Sequence, residues 1–135
     1  MSEYAICKTK IKDKQALIEA LAEMGFGKEK LEIPESPQHL YGYHSDKRPE
    51  KADVIIRRKH IGGSSNDVGF RKEADGTYSP IISEYDGRSM GFNAGWVKKL
   101  NDTYLEKLCI RQARQKGFEV KKRVEGKKVI LSLFK

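Results

Sequence analysis

Residues 68–83 read VGFRKEADGTYSPIIS, two apolar segments on either side of an Asp-Gly pair. Both segments are rich in β-branched and aromatic residues, which favour strands. Asp75-Gly76 suits a two-residue type I′ turn, because both central positions of that turn need positive φ. Pro80 removes one backbone donor from the second segment, which predicts that this strand lies at a sheet edge or carries a bulge. We therefore predict an antiparallel hairpin in the middle of the chain.

Two further strands are predicted before this hairpin. Residues 53–58 form a short apolar run bounded by charge, and residues 4–11 roughly alternate between apolar and polar side chains. Between residues 27 and 52 the pattern dissolves around three prolines. We expect a long surface loop there, with one short extended piece at 40–43. The glycine- and serine-rich stretch 62–66 predicts a turn.

Two helices are predicted, and they share the same ending. The first begins after Asp13 and the second at Asn93, both of which suit an N-cap. Apolar residues then recur at helical spacing in both segments. Each helix is followed by Gly-Phe, at 25–26 and at 117–118. Glycine takes the left-handed position after a helix, and the phenylalanine supplies the hydrophobic contact of a Schellman ending.

The chain closes with a second predicted hairpin over residues 119–134, which turns at Glu125-Gly126. The predicted order of elements is β-α-β-β-β-β-α-β-β. This order indicates an α+β protein with a mostly antiparallel sheet and both helices on one face. We expect a single compact domain over residues 1–135, because this length is typical of one hydrophobic core.

The net charge of +8 is concentrated in one part of the chain. Residues 1–97 hold 15 basic and 15 acidic side chains, whereas residues 98–135 hold 12 basic and 4 acidic ones. On the second helix the spacing i, i+4, i+7 aligns three cations in one stripe. The terminal hairpin adds five more. The predicted basic surface consists of Lys107, Arg111, Arg114, Lys121, Lys122, Arg123, Lys127 and Lys128.

A localised positive surface is typical of a module that binds an acidic partner. Contacts to nucleic-acid phosphates would give salt-sensitive binding that does not depend on base sequence. The chain has no recognition-helix, RNP or zinc-finger signature that would indicate base readout. Three readings stay open: nucleic-acid binding, an adaptor or regulator that docks on an acidic protein, and a solvated face that only aids solubility.

No motif specifies a metal, a cofactor or a phosphate-binding loop. His39, His44 and His60 lack the ligand spacing of a zinc site, and no cysteine lies near them in sequence. The glycine-serine turn at 62–65 lacks the Gly-Lys-Ser/Thr ending of a P-loop, so a plain turn explains it better. We therefore predict no cofactor and no metal ligand.

Catalysis has one weak candidate. Glu84 and Asp86, near Arg88, have the residue types of acid–base chemistry, but an ion pair at a strand end explains them equally well. The sequence contains neither G-x-S-x-G nor H-E-x-x-H. We assign no catalytic residue, and an enzyme that uses these carboxylates with a histidine is a further hypothesis, after the nucleic-acid-binding module and the adaptor.

The sequence predicts a cytoplasmic protein that does not enter membranes. No apolar run approaches the roughly 20 residues of a membrane span, and the first residues have neither a basic start nor an apolar signal region. Cys7 and Cys109 lie far apart and form no Cys-x-x-Cys motif. We expect two half-buried thiols in a reducing compartment.

Short motifs along the chain together resemble one protein family. They are Met24-Gly25-Phe26, Tyr41-Gly42-Tyr43, Asp67-Val68-Gly69-Phe70, the segment 78–86 and the segment 115–120. In this order they resemble the hypothetical chloroplast reading frame thirty-five family of algal plastids and bacteria. The segment between residues 27 and 52 is longer here than in the plastid pattern. The resemblance implies one compact domain, no settled activity and no mapped site.

Overall fold

The computed structural model describes residues 3–6 and 9–135. Its elements are β1 Tyr4–Ile6, α1 Lys14–Glu23, β2 Leu31–Glu32, β3 Gln38–Tyr41, β4 Lys47–Ala52, β5 Val54–Ile56, β6 Val68–Lys72, β7 Tyr78–Ser83, α2 Glu84–Ser89, α3 Ala94–Gln115, β8 Glu119–Glu125 and β9 Lys128–Phe134. Five strands form one antiparallel sheet in the order β1-β7-β6-β5-β2. The hairpins β3–β4 and β8–β9 form two separate two-stranded sheets. The predicted α+β class and the antiparallel sheet are confirmed.

Both long helices begin and end as the sequence predicts. The side chains of Asp13 and Asn93 each accept a hydrogen bond at 2.9 Å from the backbone N–H three residues further on. After the helices, Gly25 and Gly117 adopt φ values of +99° and +86°. The phenylalanine after each glycine donates its N–H to the carbonyl five residues earlier, at 2.9 and 3.0 Å. These bonds satisfy backbone groups that helix ends leave unpaired.

The larger hydrophobic core lies between the sheet and the two long helices. Leu17 and Leu21 of α1 and Leu100 and Tyr104 of α3 pack in one cluster with Phe70 of β6. Four of these five side chains are completely buried, and Tyr104 is 3% exposed. Burying one side chain of this size stabilises a fold by about 1.5–3 kcal/mol. Both helices therefore cover the same face of the sheet, as predicted.

Hairpin β3–β4 covers the opposite face. Leu40 and Ala52 pack there with Ile55 and Ile81 in a second, smaller core. Gly69 of β6 makes this close approach possible: a Cβ atom at Gly69 would lie 2.6 Å from the Cβ of Ala52 and 2.9 Å from the Cδ2 of Leu40. The sheet thus carries helices on one side and a small hairpin on the other.

The prediction of a surface loop over residues 27–52 is wrong, because β2 and β4 lie there, although the extended piece predicted at 40–43 overlaps β3. Charged side chains dominate β4, and Ala52 is its one fully buried residue. Pro49 lies where the pairing shifts register, between His39↔Lys51 and Tyr41↔Lys47. A proline is tolerated at such an irregularity because it needs no ladder partner. Because β4 contains a proline and an exposed, charged face, its sequence does not show the pattern of a strand.

The central hairpin β6–β7 forms, but its turn and its position differ from the prediction. Only Gly76 has positive φ in the connection 73–77, and its N–H donates to the carbonyl of Glu73 at 2.9 Å. This is a longer turn that ends in a left-handed glycine, not a type I′ turn. Strand β7 lies between β1 and β6, so the edge position predicted from Pro80 is wrong. The N–H of Tyr78 donates away from β6, to the carbonyl of Ile11 at 2.7 Å. Pro80, two residues further on, therefore lacks its donor on that same side and leaves the β6–β7 ladder intact.

Three smaller expectations also need correction or fall outside the described residues. The predicted strand over 4–11 is shorter, since residues 9–11 lie outside any strand. Cys7 lies outside the described residues, and the expectation for its thiol lies there too. Cys109 is exposed, not half-buried, because it lies on the solvent side of α3. The short helix α2 was not predicted.

Candidate functional site

The basic residues of hairpin β8–β9 are divided between its two faces. Residues that lie opposite each other on paired strands share a face, and successive side chains along one strand point alternately to the two faces. The strand register therefore defines an inner face and an outer face. Lys122 lies on the inner face, where its Nζ is 2.7 Å from the Glu106 carboxylate of α3. The outer face consists of Glu119, Lys121, Arg123, Glu125, Lys128, Ile130, Ser132 and Phe134.

Three of the predicted cations are held in ion pairs between elements. The Nζ of Lys107 lies 2.8 Å from Oε1 of Glu23, which ends α1. Arg111 pairs with Asp13, the N-cap of the same helix. Lys122 adds a contact to Glu23 at 3.9 Å, besides its pair with α3. These cations therefore fasten α3 and β8 to α1, and their charge is locally neutralised.

The pKa values of these groups reflect the pairing. The hydrogen bond from Lys107 holds the pKa of Glu23 below its usual value, and the bond from Arg111 does the same for the pKa of Asp13. The hydrogen bond to Glu106 raises the pKa of Lys122. Each shift favours the charged form of the group. Glu23, Asp13 and Lys122 therefore carry their charges around neutral pH.

The remaining five predicted cations are better placed to meet a partner. Arg123 pairs with Glu125 at 3.0 Å, but both side chains are more than half exposed. Among the described residues, no ion pair involves Arg114, Lys121, Lys127 or Lys128. An exposed ion pair such as Arg123–Glu125 contributes little to stability and competes only weakly with a ligand for the arginine. The accessible positive charge is thus centred on the hairpin.

One exposed aromatic ring lies among these cations. Phe134, on the outer face, is 47% exposed. The Nζ of Lys121 stands 5.3 Å from the centre of this ring, within cation–π distance. The outer face therefore combines positive charge with an accessible aromatic surface.

The predicted stripe on α3 borders a groove between α1 and α3. This groove has a volume of about 840 Å³, and Lys107, Arg111 and Arg114 line it together with Glu19 and Glu23. The acidic side chains belong to the α1 wall and the basic ones to the α3 wall, so the two walls carry opposite charges. The groove therefore does not continue the positive surface of the hairpin.

A buried polar network around Asp67 was missed in the sequence. Its carboxylate, 1% exposed, accepts hydrogen bonds from Nη1 of Arg57 at 2.8 Å and from the backbone N–H groups of Arg58 and Tyr41 at 2.7 and 2.8 Å. The Tyr4 hydroxyl donates to the backbone carbonyl of Asp67 at 2.8 Å. Burial raises the pKa of Tyr4, which keeps this hydroxyl a donor. The network joins β1, β3, β5 and the segment before β6.

The relationship of this chain to known proteins rests on its sequence from the middle of α1 to the end of β9. A family model described as "Protein of unknown function (DUF1257)" matches residues 20–133. The chain belongs to the DUF1257 family. The match covers hairpins β3–β4 and β6–β7, all of β8–β9 except Phe134, and the residues of the Asp67 network other than Tyr4. No curated protein and no solved structure matches the chain.

Membership in DUF1257 confirms the expectation of a family without an assigned activity. The plastid part of the resemblance stays a prediction.

The carboxylates of the catalytic hypothesis have structural partners in this DUF1257 chain. The Ser83 hydroxyl donates to Oδ2 of Asp86 at 2.5 Å and accepts the backbone N–H of Asp86 at 3.1 Å. Ser83 is thus the N-cap of α2, and the Asp86 carboxylate holds the capping hydroxyl in place. The side-chain amide of Asn66 also donates to Asp86, at 3.2 Å. Glu84 instead pairs with Arg88 at the surface. The Ser-x-x-Asp spacing was the sequence signal for α2.

The histidines of the DUF1257 chain do not join these carboxylates. Nδ1 of His39 lies 2.7 Å from the carbonyl oxygen of Arg48, and the His44 ring lies against that of Tyr43. No histidine lines the shallow pocket around Glu84. Within residues 3–6 and 9–135, no group of three or more His, Cys, Asp and Glu is arranged to hold a metal ion. No helix in that part of the chain has the length and apolar character to cross a membrane.

Proposed function

We propose that this DUF1257 protein is a binding module that holds an acidic partner, most simply a nucleic-acid backbone, through hairpin β8–β9. The observation that supports it is the separation of charge in the hairpin. Lys122, the one cation of the inner face, is paired with Glu106, whereas the cations of the outer face and of the turn are exposed to solvent. The proposed contact residues are Lys121, Arg123, Lys127 and Lys128, with Arg114 at the end of α3.

The outer face suits phosphate contacts in spacing as well as in charge. Lys121 and Arg123 are two residues apart on one strand, so their side chains leave the same face about 7 Å apart. Lys128, on the second strand, brings a third cation to that face. Phe134 offers a ring on which an unpaired base can stack, a contact that every base can make. Nothing in this arrangement selects a base sequence.

The cations of the inner face and of the α1–α3 contact have a different role in this proposal. Lys107, Arg111 and Lys122 hold elements together, and their charge is already matched by carboxylates. Replacing them would leave Glu23, Asp13 or the buried Glu106 without its partner and would loosen α3. They are therefore poor positions for testing binding, although they belong to the basic surface predicted from the sequence.

The test replaces Lys121, Lys127 and Lys128 by Glu and measures the anisotropy of labelled single- and double-stranded oligonucleotides across a salt series. The expected result is at least a tenfold loss of affinity. The slope of log affinity against log salt should flatten by about 2–3, because each lost phosphate contact removes roughly 0.7–0.9. The proposal fails if wild-type protein binds neither oligonucleotide in a salt-dependent way.

A matched control carries the same change of charge elsewhere. Lys47, Lys51 and Lys59 are exposed and lie outside hairpin β8–β9. Replacing all three by Glu should leave the salt slope unchanged, because these residues make no phosphate contact in the proposal. Equal losses in both triple variants would mean that only the net charge matters, and this outcome would also contradict the proposed site.

A second candidate function is an adaptor that binds an acidic protein. The observation that favours it is the exposed apolar surface of the same hairpin, where Val124 is 61% exposed. A protein captured from native lysate by the wild type and lost in the Lys121, Lys127 and Lys128 variant, without oligonucleotide binding, would identify this function.

A further inference from the structure

Strand β9 has an open edge that lacks the usual protection. Strand β8 pairs with it over seven residues, and α3 packs against β8. No described strand pairs with the other side of β9. Natural edge strands are blocked by charges, prolines or bulges. Residues 129–134 read VILSLF and contain none of these.

The backbone groups on this edge follow from the turn. The two-residue turn 126–127 closes on the pair Glu125↔Lys128, which is the hydrogen-bonded pair of such a hairpin. Hydrogen-bonded and non-hydrogen-bonded pairs then alternate along the ladder. The N–H and C=O groups of Val129, Leu131 and Leu133 therefore point to the open edge.

We propose that two copies of the chain pair through these β9 edges and form one continuous four-stranded antiparallel sheet. A two-fold axis at Leu131 sets this residue opposite itself. The same axis sets Val129 opposite Leu133 of the second copy, with roughly six main-chain hydrogen bonds across the junction. Ile130 lies opposite Ser132 of the second copy. Within β9 itself, no pair in this register sets a charge against a charge.

The edge of β8 does not allow the same pairing. An antiparallel pairing about Lys122 would set Glu119 opposite Glu125 and Lys121 opposite Arg123 of the second copy. Like charges directly opposite each other destabilise a sheet. The charge pattern therefore selects β9 as the pairing edge, and it selects a second copy of β9 as the strand that fits.

The pairing also covers apolar surface and leaves room for the helices. Val129 and Leu133 are 48% and 49% exposed, and both belong to the inner face. In the proposed register each packs beside the other across the junction. With strands about 4.8 Å apart, the two β8 strands would lie about 14 Å apart. Two packed helices approach to 8–10 Å, so both copies of α3 fit on the same side.

Sedimentation velocity of the full chain, at 0.1 and 0.5 M salt, tests the dimer. Two highly positive copies repel each other, and salt screens that repulsion. The wild type should therefore sediment above its monomer mass of 15.4 kDa, and more so at high salt. Nucleic-acid binding weakens as salt rises, whereas the dimer should become stronger. Failure of one proposal can therefore be distinguished from failure of the other. A wild type that is monomeric at 100 µM in both salts overturns the dimer.

Two double variants establish the register. V129K/L133K sets lysines opposite each other at both symmetric pairs and should weaken dimerisation at least tenfold. V129K/L133E replaces the same two side chains but sets opposite charges against each other, and it should dimerise more tightly than V129K/L133K. The two variants remove the same apolar groups from each monomer. If they dimerise with equal affinity, the proposed register is wrong. Circular dichroism confirms that both remain folded.

Discussion

Asp67 shows how much of this fold depends on one buried carboxylate. Its two oxygens accept bonds from a guanidinium and from two backbone N–H groups in different elements. In the sequence, Arg57, Arg58 and Lys59 form only a short basic run. Nothing local indicates that the chain returns after ten residues and brings Asp67 into contact with Arg57. The type of residue was visible in the sequence, but the contact was not.

Replacing Asp67 by Ala should lower the free energy of unfolding by about 3–5 kcal/mol, because it leaves a partly buried guanidinium and two N–H groups without their partner. Urea unfolding measures this loss. Glu32→Ala is the control, since Glu32 pairs with the same Arg57 but its side chain is 44% exposed. Its loss should stay below about 1 kcal/mol. Equal losses in the two variants would contradict a central role for Asp67.

At the scale of elements, the local signals and the tertiary contacts had different predictive value. The helix ends at Gly25 and Gly117 were predictable, because capping depends on neighbours within five residues. Strand β4 was not, because Ala52 alone marks its buried side and its partner surface on β6 is far along the chain. The same limit applies to the basic stripe of α3. Its cations could be found in the sequence, but their carboxylate partners on α1 depend on helix packing.

The docking of hairpin β3–β4 on the sheet depends on Gly69. Gly69→Ala should destabilise the fold by about 1–3 kcal/mol, because the added methyl group would overlap Ala52 and Leu40. Gly63→Ala is a matched control, since a Cβ atom there has no neighbour within 4 Å. Thermal unfolding of both variants measures the difference. A Gly69 variant as stable as the Gly63 variant would mean that the hairpin docks loosely.

The ion pairs between α1 and α3 make stability depend on pH. Glu23 and Asp13 have lower pKa values in the folded chain than their usual 4.5 and 3.8. Between the folded and unfolded pKa values the unfolded chain binds more protons, so this stability is present above about pH 4.5 and is lost as the pH falls through the folded pKa values. Urea unfolding from pH 6 to pH 3 should show the loss.

Glu23→Gln should flatten this acid loss, because the substituted residue no longer titrates. Glu119→Gln serves as the control, since Glu119 is exposed and no ion pair involves it among the described residues. If Glu23→Gln has the same acid profile as the wild type, the Lys107 pair does not contribute to stability.

For the whole molecule, charge and fold are arranged almost independently. Residues 1–97 are neutral overall and supply nearly all of both cores, whereas the excess of eight positive charges follows residue 97. The sequence predicted this division, because charge can be counted without knowing the fold. It did not predict which cations remain accessible, because that depends on the two faces of hairpin β8–β9.

The separation of hairpin β8–β9 from the main sheet has a consequence for how the protein can change. Neither hydrophobic core contains a residue of β8 or β9. A segment with few contacts to the rest opens and closes as its own cooperative unit. Substitutions there have small effects on global stability, which is the property that most often limits the accumulation of mutations. Relatives of this chain can therefore diverge in the partner that the hairpin binds, while the sheet and its two long helices stay the same.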